Sequence, residues 1–265
     1  MYKSDEVYPG APLVLAACEL RYPSVDSLTS PRQLQRLKMA LADHFPLSKP
    51  AVNQKMTVRS DGSAEMTEEH VPRFTRRDRM GSVTISSEST VIELTRYDGF
   101  GPLLELLASV AGAVVEIVAP DGLERFGMRY VDEIRVPMNG AEIDWAEWLR
   151  GDVLGPRPDS IGLELQDWQS AVRYVAGEGH SVVLRYGPRV GFAVNPSTAL
   201  MRPSVGAPGP FFLLDIDSFW EAPGEVPPFE SAFILETAAR LHGPVRGLFE
   251  ALITDRLRNE VLRHA

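Results

Sequence analysis

Acidic and arginine residues recur on segments whose two-residue alternation predicts β-strands, and these residues have the clearest capacity for chemistry. Asp215 and Asp217 stand two apart in LLDIDSFW, so a strand would hold both carboxylates on one face. Arginines can grip an anion, and paired carboxylates can hold a cation. The candidate ligand-binding residues are Glu19, Arg21, Glu93, Arg129, Glu133, Asp215 and Asp217. The alternative is a set of cross-strand ion pairs that fix register on a hydrated sheet face.

The second candidate site is a group of basic residues in an otherwise acidic chain. It comprises Arg73, Arg76, Arg77 and Arg79. Alternation along a strand predicted over 73–86 places Arg73, Arg77 and Arg79 on one side, where they could contact a phosphate backbone. No aromatic residue shares that side for base stacking. The alternative is therefore a solvated hairpin whose charges protect a sheet edge.

Sequence motifs for catalysis and cofactor binding are absent. The chain has no glycine–lysine phosphate loop, no HExxH, no paired-cysteine metal spacing and no Gly-x-Ser-x-Gly elbow. Gly99-Phe100-Gly101 could offer backbone N–H groups to an anion, yet the dinucleotide fingerprint is incomplete. His180 and His242 have no base or metal partner nearby in sequence. We therefore expect no catalytic residue, no metal site and no cofactor.

Composition and charge favour a folded protein that avoids polyanions. The 265 residues are 44% hydrophobic and carry a formal net charge of −9. Such a charge repels phosphate backbones and anionic membranes on average, which makes a nucleic-acid partner unfavourable. The run Leu15–Cys18 ends like a lipoprotein cleavage site, but it lacks the basic flank and long apolar core of a signal peptide. The lone cysteine and the interrupted apolar stretches predict a cytoplasmic protein without membrane attachment.

The first half of the chain is predicted to contain a strand, a helix, an antiparallel meander and a second helix. Alternation predicts a strand over Pro12–Tyr22, and Ser30-Pro31 has the form of an N-cap followed by proline at the first helical position. Leucines and valines at helical spacing predict the second helix over 103–118. The meander is predicted over 52–59, 73–86 and 90–97, with a polar loop around Asp61-Gly62.

The second half repeats this order. Its first strand, Leu123–Pro137, has the strictest alternation in the chain, and Asp144 is expected to cap a short helix. Strands are then predicted over 160–176, 181–186 and 211–220, with a glycine- and proline-rich loop over 195–210. In the long C-terminal helical stretch, Gly243-Pro244 is expected to break or kink the helix.

This order predicts an internal duplication, with residues 1–122 as the first α+β repeat and residues 123–265 as the second, which ends in a long kinked helix. The predicted fold class is α+β. Duplicated strand–helix–antiparallel meander–helix units form a curved antiparallel sheet, with the helices packed on one face. The order resembles the tandem saddle of TATA-binding-protein-like and helix-grip folds. The other face of the sheet is then left for water or a partner.

Four passages also carry a family resemblance: APLVLAACELRYP, RFGMRYVDEI, LLDIDSFW and LFEALITDRL. They resemble a sporadically distributed bacterial family of uncharacterised proteins of about this length. The resemblance extends over the whole chain and implies a single unit from a bacterial source. Family members more often carry asparagine where Asp132 stands. The resemblance implies no activity, cofactor or ligand.

A well-specified fold without a catalytic set favours a non-enzymatic cytoplasmic binding or interaction protein, with a protein partner or a homo-oligomer. One alternative is an enzyme or a small-molecule or metal-binding protein that uses the acidic and arginine residues of the open sheet face. Another is nucleic-acid binding through the hairpin that carries Arg73 to Arg79. We expect the apolar stripe after Pro244 to pack within its own chain rather than to project as a partner helix.

Overall fold

The computed structural model describes residues 6–25, 30–58, 64–138, 143–155, 168–195 and 200–264. In this part of the chain, nine strands form one sheet in which every pairing is antiparallel. The strands are β1 (Leu13–Arg21), β2 (Leu47–Val58), β3 (Ala64–Thr75), β4 (Gly81–Ile85), β5 (Ser89–Leu94), β6 (Arg125–Ile134), β7 (Ser170–Gly177), β8 (His180–Gly191) and β9 (Gly209–Glu221). The α+β fold class predicted from the sequence is confirmed.

The order of the strands is symmetric about the contact between β1 and β6. Across the sheet it is β2-β3-β4-β5-β1-β6-β9-β8-β7. From the centre outward, β5, β4 and β3 follow β1, while β9, β8 and β7 follow β6. Each half therefore places its first strand at the centre and its last strand beside it. β2 has no counterpart among the described residues of the second half, and the internal duplication stays a prediction.

The helices are α1 (Pro31–Ala40), α2 (Phe100–Ala113), α3 (Ser231–Leu252) and α4 (Asp255–Leu257). Two of them continue as π-helical turns, α2 into Val114–Val118 and α4 into Arg258–Leu262. The predicted N-cap of α1 is confirmed, because the Ser30 hydroxyl accepts a hydrogen bond from the Gln33 N–H at 3.1 Å. Asp144 likewise caps a short helix, the 3₁₀ turn Trp145–Glu147.

The core lies between one face of the sheet and the helices, and we call this face the covered face. Leu106, Leu107 and Val110 of α2 are fully or almost fully buried, as are Phe126 and Ile216 of the central strands. Over Phe100–Val118 the chain is long and apolar enough to cross a membrane by length and composition, and half of that helix is buried inside the protein. Its leucine face packs in the core cluster that joins helices and sheet.

Two predictions of local structure are wrong in the first half. The chain forms β3 over 64–75, where the sequence predicts mainly a polar loop, because a complete register with β2 pairs its backbone despite its polar residues. A turn interrupts the strand predicted over 73–86. In this turn the Arg76 N–H donates to the Gly81 carbonyl at 2.9 Å, and Arg79 adopts a positive φ of 59°.

The C-terminal helix differs from the prediction in the position of its break. α3 runs through Pro244, and the chain becomes extended only at Ile253, where ψ is 153°. Burial of Leu241 and Val245 on either side of the proline stabilises the helix there and offsets the lost backbone hydrogen bond. Of the strand predicted over 160–176, the described part forms β7 from Ser170, and residues 160–167 lie outside the described residues.

Candidate ligand-binding face

All seven predicted ligand-binding residues lie on the face of the sheet opposite the helices, which we call the open face. Alternation along β6 and β9 places Arg129 beside Asp217 and Val131 beside Asp215, while their buried even-numbered neighbours face the core. Ala17 of β1 neighbours Arg129 on its other side, and Glu93 of β5 follows. The central strands of both halves therefore contribute to one continuous polar surface.

A bidentate ion pair on the open face joins Arg129 to Asp215. The Nε and Nη2 atoms of Arg129 each donate to a different carboxylate oxygen of Asp215, both at 2.7 Å. This bidentate pairing raises the pKa of Arg129. Arg185 of β8 approaches the same carboxylate from the other side at 3.6 Å. The side chain of Asp215 is only 4% exposed, whereas those of Arg129 and Arg185 are 49% and 44% exposed.

Glu19 of β1 pairs with two arginines. Its carboxylate accepts a hydrogen bond from Arg125 Nη1 at 2.6 Å and pairs with Arg21 Nε at 3.0 Å. Arg125 also covers the ring of Phe219, with its guanidinium carbon 4.6 Å from the ring centroid. Asp217 contacts Arg125 more loosely, at 3.7 Å. Burial raises the pKa of Asp217, and the nearby arginines oppose that shift.

Glu93 and Glu133 also pair with arginines, Glu93 at a partly exposed site and Glu133 at a buried one. Glu93 accepts a hydrogen bond from Arg73 Nη2 at 3.1 Å, beside the hydroxyl of Ser82. Glu133 is almost fully buried and pairs with Arg135 at 2.9 Å and with Arg202 at 3.3 Å. Each carboxylate predicted for the open face therefore has an arginine within ion-pair distance.

A segment between β8 and β9 contacts the open face at Glu133. We call its described residues, 192–195 and 200–208, the strap. The Ala193 N–H donates to Glu133 at 2.8 Å, and the Met201 N–H donates to the carbonyl of Arg79 at 2.8 Å. The hydroxyl of Thr95 donates to the carbonyl of Met201. The strap is thus attached to β6 in the second half and, in the first half, to the turn before β4 and to the residue that follows β5.

The four arginines predicted as a nucleic-acid site do not form one strip. Arg73 lies on the open face and pairs with Glu93, whereas Arg76 packs over the ring of Phe45 at 6.0 Å. Phe45 is fully buried on the helix side of the sheet. Arg77 and Arg79 are exposed in the turn that follows. Because this segment is a turn, strand alternation does not align Arg73, Arg77 and Arg79 as the sequence predicts.

The predicted ligand-binding residues do not include several arginines that complete the open face. Arg125 and Arg185 lie on strands, and their alternation with Arg129 and Val183 was a usable signal. Arg202 lies in the strap, and no sequence periodicity relates it to Glu133. Loop residues carry no such signal because their contacts depend on the tertiary structure.

Polar side chains also lie on the covered face. The hydroxyl of Tyr130 is 3.1 Å from Nδ1 of His242, whose ring stacks on Phe100 with centroids 4.0 Å apart. Burial, assisted by Arg246, lowers the pKa of His242 to about 4. Burial, assisted by the charge of Asp215, raises the pKa of Asp132 to about 8. Both side chains are therefore held in their neutral forms near pH 7.

The described residues contain no group of three or more histidine, cysteine, aspartate or glutamate side chains placed to hold a metal ion. A comparison with known protein families matched no family model, and no curated protein was found to match the chain. The resemblance drawn from the four sequence passages therefore stays a prediction.

Proposed function

We propose that this chain is a non-enzymatic cytoplasmic binding protein whose open face holds an acidic segment of a partner protein. The observation that carries the proposal is the layering of charge on that face. At Asp215 and at Glu19, the carboxylate is less exposed than an arginine paired with it. The order is reversed for Arg73 with Glu93 and for Arg125 with Glu19, where the arginine is the less exposed partner. Asp215 is nearly buried, while Arg129 and Arg185 above it remain about half exposed. Arg21 is 55% exposed above a Glu19 that is 28% exposed.

This layering favours a role for the carboxylates in holding the arginines. Asp215 engages two nitrogens of Arg129, which leaves the other N–H groups of that guanidinium for a second anion. A pre-positioned guanidinium loses less conformational freedom on binding than a free side chain does. The open face would therefore recognise carboxylates through a few fixed arginines.

A protein segment fits this face better than a nucleic acid does. The aromatic residues Phe211 and Phe219 of β9 are buried under arginines, so they offer no free ring for base stacking. The net charge of −9 also opposes a polyphosphate partner over longer distances. A short acidic peptide carries far fewer charges and contacts only the local arginines.

The alternative of a metal-dependent or small-molecule enzyme on the same face receives less support. Both carboxylate oxygens of Asp215 accept short hydrogen bonds from Arg129. Both oxygens of Glu19 likewise face arginines, Arg125 and Arg21. Carboxylates that already neutralise arginines are poor ligands for a cation, since the metal would have to displace a guanidinium.

The test is the binding of a fluorescent glutamate-rich peptide, followed by anisotropy at low salt. The Arg21→Gln, Arg185→Gln double variant is expected to bind it at least about tenfold more weakly, because each charge-assisted hydrogen bond contributes roughly 1.5–3 kcal/mol. These two positions are chosen because Glu19 keeps Arg125, and Asp215 keeps Arg129, as partners. No buried carboxylate is then left without an arginine.

The matched control is the Arg36→Gln, Arg240→Gln double variant, which removes the same charge from two helices away from the open face. It is expected to bind the peptide like the unaltered protein. Equal weakening of peptide binding in both double variants would show that net charge alone causes the effect, and it would refute the proposal. A lysine-rich peptide and a single-stranded oligonucleotide complete the set, and preferential binding of the oligonucleotide would favour the nucleic-acid alternative.

A further inference from the structure

The hairpin of β2 and β3 extends well beyond the rest of the sheet. β3 pairs with β2 over its whole length, but only Arg73, Phe74 and Thr75 pair with β4. The remaining part consists of residues 50–58 of β2 and 64–72 of β3, and we call it the arm. At about 3.3 Å per residue, the arm projects roughly 30 Å.

Among the described strands, the two strands of the arm pair only with each other, although Val71 at the base of the arm is buried. An isolated pair of strands is marginally stable in water, and stable sheets add a third strand or a packed face. In the described chain, β2 has β3 as its only strand partner. Over Ala64–Pro72, β3 in turn pairs only with β2. A surface outside this copy of the chain would add a packing partner for this ribbon.

The charge of the arm matches the open face. In sequence, the arm segment of β3 contains Glu65, Glu68 and Glu69, whereas residues 50–58 of β2 contain a single charged residue, Lys55. The open face presents half-exposed arginines from β1, β6 and β8. The four strands from β1 to β8 span only about 15 Å at ~4.8 Å per spacing, so an arm of this length can cross them.

We infer that the acidic segment bound by the open face is the arm of a second copy of this chain. This inference rests on the proposed function and names its partner. When the arm of each copy lies on the open face of the other, one twofold axis relates both contacts. The assembly is then a closed dimer rather than a filament.

Sedimentation velocity of two complementary full-length variants tests this arrangement. The arm variant carries Glu65→Lys, Glu68→Lys and Glu69→Lys, and the face variant carries Arg21→Glu and Arg185→Glu. Each variant alone opposes like charges in both contacts, so its dimer dissociation constant is expected to rise at least about tenfold over that of the unaltered protein. In an equimolar mixture, lysines of one copy meet glutamates of the other while the second contact keeps the natural pairing. The mixture is therefore expected to form a one-to-one dimer.

The control variant reverses three exposed acids elsewhere, with Glu105→Lys, Glu225→Lys and Glu236→Lys, and is expected to dimerise like the unaltered protein. Three results would overturn the inference: a monomeric unaltered protein at 100 μM, an arm variant that stays dimeric, or a mixture that stays monomeric. If the arm variant is monomeric but the face variant dimerises normally, the two arms associate with each other instead. That result would also overturn the inference. If the protein is monomeric and still binds the glutamate-rich peptide, the inference fails and the proposed function stands.

Discussion

Buried acids on the two faces of the sheet have different surroundings, and neighbouring residues of β6 show the difference. Asp132 lies on the covered face, where burial raises its pKa to about 8. Glu133 lies on the open face, is equally buried, and pairs with Arg135 and Arg202. One carboxyl group is favoured in its neutral form, and the other is matched by two guanidiniums.

The same contrast extends to the other polar residues of each face. On the covered face, His242 is held neutral between Tyr130 and Phe100. On the open face, Asp215 and Glu19 pair with arginines. Packing against helices does not require charge on the sheet, because desolvation penalises every ion, although the helix layer itself holds the buried ion pair between Glu250 and Arg258. The retention of paired charge on the open face therefore favours a role in recognition.

Removal of the second half of the helix layer should have the largest effect. A chain truncated after Gly243 loses Val245, Phe249, Ile253, Leu257 and Leu262, which are all buried. Burial of each large apolar side chain contributes about 1.5–3 kcal/mol, and a typical domain has only ~5–15 kcal/mol of net stability. We expect the truncated chain to be unfolded by circular dichroism. If it were folded with the melting temperature of the full chain and had lost only association, the C-terminal stripe would be a partner helix instead.

A pair of alanine substitutions compares packing on the two faces directly. Ile216 of β9 is fully buried on the covered face, and Val183 is its half-buried open-face counterpart on β8. Ile216→Ala should lower the free energy of unfolding by about 2–5 kcal/mol, because it leaves a cavity in the core. Val183→Ala should lower it by about 1 kcal/mol or less, since water fills the space. Urea unfolding of both variants measures this difference, and equal losses would show that the open face is packed like a core.

The fold was predictable from the sequence because alternation and helical periodicity report burial directly. Leu123–Pro137 was recognised as a central strand, and the N-cap at Ser30 and the stripe over 103–118 also match the structure. β3 was missed because its arm segment is polar on both faces, so it has no alternation that could distinguish it from a loop.

The candidate site was only partly predictable, for two physical reasons. The strand acids and arginines could be assigned to one face by alternation, but their pairing depends on the strand order, which places β6 beside β9. The layering of arginines over carboxylates depends on side-chain length and burial, which periodicity does not report. Arg202 and the strap depend on a loop contact with Glu133, and no local pattern encodes that contact.

A comparable effect, largest at high pH, is expected when the neutral acid of the covered face is replaced by its uncharged isostere. Because the pKa of Asp132 is raised to about 8 in the folded protein, the native state holds this proton over a pH range in which the unfolded chain has released it. Stability should therefore fall as the pH rises from about 4 to about 8. Asp132→Asn removes that fall and should be more stable than the unaltered protein by up to about 5 kcal/mol at pH 9.

Thermal unfolding of both proteins between pH 5 and pH 9 measures this prediction. The difference in melting temperature should widen as the pH rises and should level off above pH 8. A constant difference would mean that the Asp132 carboxyl group is ionised throughout and that the covered face tolerates its charge. Asp217→Asn serves as the comparison on the open face, where nearby arginines oppose the upward shift in pKa, and its pH dependence should be weaker.

The smallest change in stability is expected where the proposed function predicts a large change in binding. Arg185→Gln removes a guanidinium that is 44% exposed and lies 3.6 Å from a carboxylate that Arg129 already binds at 2.7 Å. Exposed ion pairs contribute about 0–1 kcal/mol to folding, so the melting temperature should move by only a few degrees. Arg129→Lys keeps the charge but loses the bidentate geometry with the nearly buried Asp215, and should therefore cost more stability than Arg185→Gln. If Arg185→Gln were the more destabilising of the two, the arginines would hold the sheet together, and the charge of the open face would need no ligand to explain it.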